Sequence, residues 1–201
     1  MAIKLRQGTI SDAPVIARFI IEAMSEECCA HFYGPNYNIN DFHAFMTSLA
    51  GQELTQYCYK NTIVAQSDND IAGIAVSYNG ADLHTLRKAF IEGLYDTFHR
   101  DFRGRINDET QAGELYLDSL AVDPKFRRNG IGTLLLEATI QKAEIMKIPY
   151  VGLLVDDDNP SALHLYQQIG FQFINKTMWG GHYMKHLQLR VDRYIFKHLT
   201  K

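Results

Sequence analysis

The chain has 201 residues, 46% hydrophobic and 21% charged, enough for one sizeable domain with its own core and short for two. A formal net charge of -3 gives no general attraction to nucleic acid or to an anionic membrane, so any polyanion site must be local. Three cysteines, Cys28, Cys29 and Cys58, are too few and odd in number for a disulfide framework, and no run reaches the ~20 apolar residues that span a bilayer. The first residues lack the apolar core of a signal peptide, so a cytoplasmic protein is expected. No spacing among the cysteines and the eight histidines resembles a zinc site, and no metal is expected.

Residues 3–6 alternate apolar and charged side chains as a first strand. Ser11 or Asp12 then caps a helix in which Val15, Ile16, Phe19, Ile20 and Ala23 recur at helical spacing, and a second short helix is predicted over residues 41–49. Residues 62–66 and 71–78 flank Asp68, Asn69 and Asp70 and read as a hairpin. Leu83, Leu86, Phe90, Leu94 and Phe98 form an apolar stripe with charged residues between them, which predicts an amphipathic helix inserted between strands. That stripe is expected to wall an acceptor site or to make a contact in a homodimer; alternatively it is core.

A polar linker, residues 103–112, precedes a strand over residues 114–122 and a helix over residues 130–146, with Ile131, Leu134, Leu135, Ala138 and Ile145 on one side. Residues 150–155 are a continuous apolar run, as expected of a strand buried on both faces. Asp156, Asp157, Asp158 and the Asn159-Pro160 step open a further helix that ends at Gly170. Strands over residues 171–179 and 182–191 follow, around a Gly180-Gly181 turn.

The most informative segment is residues 120–133, where an apolar strand runs into an Arg- and Gly-rich turn that opens a helix. Unpaired N–H groups and the helix dipole at such a start favour an anion, glycines let it approach the main chain, and Arg127 and Arg128 add full charges. A nucleoside triphosphate loop would need lysine after Gly132, where Thr133 stands, and a dinucleotide fingerprint would need a small residue in place of Leu135. What remains is R-x-x-G-x-G at Arg127, Gly130 and Gly132.

This motif resembles the pyrophosphate loop of the GNAT superfamily of acyl-CoA N-acyltransferases, and a second block is similar to that family's N-x-x-A-x-x-x-Y-x-x-x-G-F signature at Asn159, Ala162, Tyr166, Gly170 and Phe171. The resemblance follows the strand order of the whole chain and is strong over residues 114–171. It implies an α/β fold with a mixed, mostly antiparallel sheet of about seven strands, splayed between the fourth and fifth, flanked by helices, with one extra helix before the fourth strand. Acetyl-CoA would lie in the splay as cosubstrate. Its pantetheine would pair with the main chain of Leu120, Ala121 and Val122, and its pyrophosphate would meet the N–H groups of Arg128, Asn129, Gly130, Ile131, Gly132 and Thr133. Asn159 would hydrogen-bond the pantetheine or simply cap its helix.

By the same resemblance the reaction is acetyl transfer to a primary amine of a small molecule or peptide. An alkylammonium, pKa about 10.4, must lose a proton before it attacks. The oxyanion would meet a strand amide near Leu120, and Tyr166 matches the tyrosine that protonates the departing thiolate, unless it only packs its helix. Where family members use a glutamate base, the matched loops place Tyr116. Strict alternation puts Glu114, Tyr116 and Asp118 on one face with Leu120 and Val122, so Asp118 and Glu114 are the candidate bases, acting through water, recruiting a cationic acceptor, or forming a solvated face. The run Asp156 to Asp158 lacks the pattern of a calcium loop. His164 is expected at the surface, and Trp179, His182 and Tyr183 either line an acceptor pocket or pack the sheet. The competing functions are a non-catalytic acyl-CoA sensor or scaffold, and a nucleotide-binding domain of another fold.

Overall fold

The computed structural model describes residues 2–194. Its strands are β1 (Ile3–Gln7), β2 (Thr62–Ser67), β3 (Asp70–Asn79), β4 (Glu114–Val122), β5 (Tyr150–Asp156), β6 (Gln172–Trp179) and β7 (His182–Arg190). They form one sheet in the order β1-β2-β3-β4-β5-β7-β6. Every neighbouring pair is antiparallel except β4 and β5. A parallel pair needs a crossover, and α5 (Ile131–Ile145) supplies it.

The remaining helices are α1 (Ala13–Met24), α2 (Glu26–Tyr33), α3 (Ile39–Ala50), α4 (Leu83–Phe98) and α6 (Pro160–Ile169). The chain bends between α1 and α2 because Ser25 takes φ 70°, and its hydroxyl then caps α2 by accepting from Cys28 N. Periodicity alone located α1 but not this break. On one face of the sheet α1 to α4 enclose an aromatic core that includes Phe19, Phe32, Phe42 and Phe90. On the other face α5 packs Leu135, Leu136 and Ile140 over Leu115, Leu117, Val151 and Leu153.

Two helices turn differently from the sequence expectation. The buried side of α5 is Ile131, Leu135, Leu136, Thr139, Ile140 and Ala143, while Ile145 is 82% exposed. Apolar residues surround α5, so spacing could not choose the inward face; contact with the sheet does. The stripe of α4 points inward. Leu83, Phe90, Leu94 and Phe98 are buried, with the Phe90 ring set edge-on to Phe32 and Tyr57. It is therefore core, and neither a dimer contact nor an acceptor wall can use it.

Arg87, on the same helix and buried, pairs with Glu109 and with Asp108 at 3.2 Å. Tyr78 donates to the other oxygen of Glu109 at 3.0 Å, so the polar linker after α4 is tied to the core. Phe90→Ala should cost about 3–5 kcal/mol of unfolding free energy, by the removal of a large ring from a closed cluster. Urea denaturation would measure it, and a loss below ~1 kcal/mol would contradict the core role of α4.

Candidate active site

The pairing of β4 with β5 runs from Glu114 opposite Tyr150 to Leu117 opposite Leu153 and stops. Beyond that point β4 stays paired with β3 as far as Val122, and β5 stays paired with β7 as far as Asp156. Each strand is held by its outer neighbour while the two diverge, which leaves main-chain groups facing a gap. The gap is a cleft of about 880 Å³ between β4, β5 and the first turns of α5 and α6.

The predicted binding residues, Asn129 excepted, line this cleft. Gly130, at φ 75°, begins α5, and Arg128 holds φ 64°. No side chain caps α5, so the N–H groups of its first turn remain for a ligand. Arg127 Nε donates to Val122 O at 3.0 Å and folds the loop back on β4. Asn129 serves the loop itself, donating to the carbonyls of Phe126 and Arg127, both at 3.1 Å. Asn159 caps α6, its Oδ1 accepting from Ala162 N at 3.1 Å.

The two candidate bases part company. Between Val76 and Ser77 of β3 the register on β4 jumps from Ser119 to Leu117, so Asp118 is the extra residue of a bulge. Strict alternation therefore fails: Leu120 and Val122 pack with the cluster that holds Leu115 and Leu117, while Tyr116 packs with Tyr78 and Leu83 on the opposite face. Asp118 lines the cleft, half-buried, accepting from Ser119 Oγ at 2.9 Å and from Gln56 Nε2 at 3.4 Å. Burial pushes its carboxyl up to about 6, against the opposing pull of Ser119, Gln56 and the Arg87 charge. Gln56 sits in the loop before β2, 62 residues from Asp118, and no motif marks it.

The bulge has its own anchor. Lys142 of α5 reaches through the sheet's other face to donate to Ser77 O at 2.7 Å and to Ser77 Oγ at 3.0 Å. Burial lowers this lysine to about 8.

Glu114 lies at the closed end, outside the cleft. It is 1% exposed, with Oε2 2.8 Å from Nε2 of buried His186 on β7. Gly152 of β5 stands between them, and any Cβ there would overlap the Glu114 carboxylate. Locked in this pair, Glu114 joins β4 to β7 across β5 and does not face an acceptor.

Tyr166 lines the cleft from α6, buried, its ring tilted 58° against Phe171. Burial pushes its phenol up to about 12, and Cys28, also on the cleft wall, is raised to about 12 chiefly by burial. Tyr116 and Trp179 line the same cleft, whereas His164 is exposed, Tyr183 is 64% exposed, and the His182 side chain lies outside the described residues. Asp157 is engaged by Lys176 at 2.9 Å and Lys185 at 2.7 Å, so the acidic run fastens β6 and β7 to the α6 entrance.

Residues 31–171 match the acetyltransferase (GNAT) family. The spermine/spermidine N(1)-acetyltransferase of Bacillus subtilis (strain 168) is 26% identical over 144 residues, 71% of this chain and 85% of that protein. The [ribosomal protein bS18]-alanine N-acetyltransferase of Salmonella typhimurium is 40% identical over 58 residues, 29% of this chain and 39% of that protein. Among solved structures, a crystal structure of an acetyltransferase superposes with TM-score 0.73 at 28% identity, covering 94% of this chain and 99% of the other. The N-acetyltransferase of Staphylococcus aureus Mu50 shares the fold, with TM-score 0.75 at 21% identity over 92% of this chain and 100% of the other.

The environment of Asp118 has a stability consequence. Its folded pKa of about 6 exceeds the unfolded value of 3.8, so the folded state binds more protons between them and stability falls as pH rises through that window. Asp118→Asn should be more stable than wild type at pH 7.5 by about 1–2 kcal/mol, with the gain gone at pH 4. Thermal denaturation at the two pH values checks both.

Proposed function

This chain belongs to the GNAT acetyltransferase family, and we propose that it transfers the acetyl group of acetyl-CoA to the primary amine of a small-molecule or peptide acceptor by direct attack in the β4–β5 cleft. The observation that carries this reading is Asp118, a half-buried carboxylate with a raised pKa, set by a bulge where β4 leaves β5 and sharing one cleft with the uncapped start of α5. The relatives' names support an amine acceptor: a polyamine for the Bacillus protein and an alanine nitrogen for the Salmonella protein. Among the described residues no helix is long and apolar enough to cross a membrane; we place the protein in the cytoplasm.

Pantetheine pairs with the exposed main chain of Leu120 to Val122 as an added strand would. The pyrophosphate lies on the first N–H groups of α5, with Arg127 and Arg128 beside it. Asn159, whose Oδ1 is committed to α6, offers its Nδ2 to the pantetheine.

Asp118, ionised at neutral pH yet more basic than an ordinary carboxylate, takes a proton from the acceptor ammonium directly or through one water. The freed lone pair attacks the thioester carbon, and the oxyanion meets a main-chain N–H near Leu120. The C–S bond then breaks, nitrogen loses its remaining extra proton to water, and Tyr166 protonates the departing sulfur. A phenol near 12 is a poor acid for a thiolate of ordinary pKa, about 8.5. Cys28, on the cleft wall, is raised to about 12, chiefly by burial. The same value keeps Cys28 protonated, which favours direct attack over an acetyl-cysteine intermediate.

In a thiol-release assay with acetyl-CoA and a primary amine, kcat/KM should rise with pH through a limb near 6, below the limb of the amine itself. Asp118→Asn should lose that limb and ~10²-fold or more in kcat while binding acetyl-CoA with unchanged Kd. Retention of full activity would remove Asp118 from the mechanism. Tyr166→Phe should likewise bind acetyl-CoA normally and release thiol at least ~10-fold more slowly.

A further inference from the structure

A second cavity, of about 420 Å³, adjoins the acceptor end of the cleft. Trp179 lines both. The two meet at Trp179: the indole packs on Phe32 with centroids 5.5 Å apart, and Gly180 of the cavity, at φ 58°, leaves no room for a Cβ against Sγ of Cys28, a residue of the cleft. The outer wall is the segment that follows α4, residues 99–107, held to the β6 end by Asn107 Nδ2 donating to Met178 O at 3.1 Å.

The charge in this cavity is one-sided. Arg100 and Arg105 line it, and neither forms an ion pair among the described residues. Its one acidic side chain, Asp101, is already taken by Arg103 through two contacts of 2.8 Å. Arg100 is held in place by donating to His31 O at 3.1 Å and by the Phe102 ring, 5.6 Å from its guanidinium. Two guanidinium groups facing one cavity, neither paired with a carboxylate among the described residues, suit an oxyanion.

We propose that this cavity binds the acidic end of the acceptor, which is therefore an amine that also carries a carboxylate. Its ammonium lies toward Asp118 and its carboxylate toward Arg100 and Arg105, with Trp179 between. This rests on the acetyl-transfer reading above. A polyamine, cationic at both ends, would meet repulsion here.

The test pairs acceptors that differ only in the carboxylate, 6-aminohexanoate against hexylamine and short peptides against their C-terminal amides, at fixed ionic strength. Wild type should favour the carboxylate member at least ~10-fold in kcat/KM, a loss typical of an unpaired charge-assisted bond. Arg105 makes no side-chain hydrogen bond or ion pair among the described residues, so Arg105→Glu tests charge without disturbing the fold. It should raise KM for the carboxylate acceptors at least ~10-fold and leave KM for acetyl-CoA and for the amides unchanged. Trp179 is the single tryptophan, so its fluorescence reads the cavity without catalysis. Glutarate should change the emission saturably, glutaramide should not, and Arg105→Glu should abolish the response.

Equal use of both members of each pair, with KM unmoved by Arg105→Glu, would overturn the acceptor assignment while acetyl transfer stood. A saturable glutarate response without any carboxylate preference would do the same, by making the cavity a separate anion site. Failure to acetylate any amine would instead sink the acetyl-transfer reading, and a flat glutarate titration would then sink the oxyanion cavity as well.

Discussion

The structure depends on one constraint: β4 and β5 are parallel partners only as far as Leu117 and Leu153. Unpaired main-chain groups inside a sheet are costly unless something else satisfies them. Here the outer strands β3 and β7 keep each half of the sheet intact, and the opening becomes a cleft edged with free amides and carbonyls. The closed end is fastened by the buried Glu114 and His186 pair, which passes Gly152 because that residue has no side chain. A buried pair of this kind adds little net stability, but losing one member strands the other; its contribution is to hold three strands in register where the gap begins.

Asp118 stands at the β3–β4 bulge and lines the cleft while staying on the side of Tyr57, Tyr78 and Tyr116, whose phenols burial and the Asp118 charge both raise. Keeping a carboxylate there opposes its ionisation, and Ser119, Gln56 and the more distant Arg87 charge offset only part of that penalty. The partial compensation matters chemically: full satisfaction would return the group to an ordinary weak base, and none would leave it protonated. On the far face, Lys142 braces the residue at which the register changes.

The aromatic core formed by α1 to α4 backs the residue shared by the cleft and the side cavity. Close-packed rings deform little, so Phe32, anchored by Phe90 and Phe102, gives Trp179 a firm backing. The inserted helix α4 leads into segment 99–107, whose Arg100 and Arg105 line the side cavity.

Much was legible in the sequence because it is local. The hairpin of β2 and β3, the span of α4, and the arginine and glycine turn before α5 depend on neighbours a few residues apart, and anion recognition by that turn needs only uncapped amides and positive-φ positions. The choice between Asp118 and Glu114 was not local: period-2 alternation treats them alike, and what separates them is that β4 is still paired with β5 at Glu114 and has left it by Asp118. Gln56 with Asp118, Lys142 with Ser77, and His186 with Glu114 meet across 62, 65 and 72 residues, so no spacing rule could have joined them. The inward faces of α4 and α5 were likewise decided by what each helix found to pack against. Consecutive residues carry most of the elements, α2 excepted, and the arginine- and glycine-rich turn that opens α5 without a side-chain cap. Which carboxylate faces the cleft, and which charges surround it, follows from packing, because burial and the end of a strand pairing belong to the assembled sheet and not to any one strand.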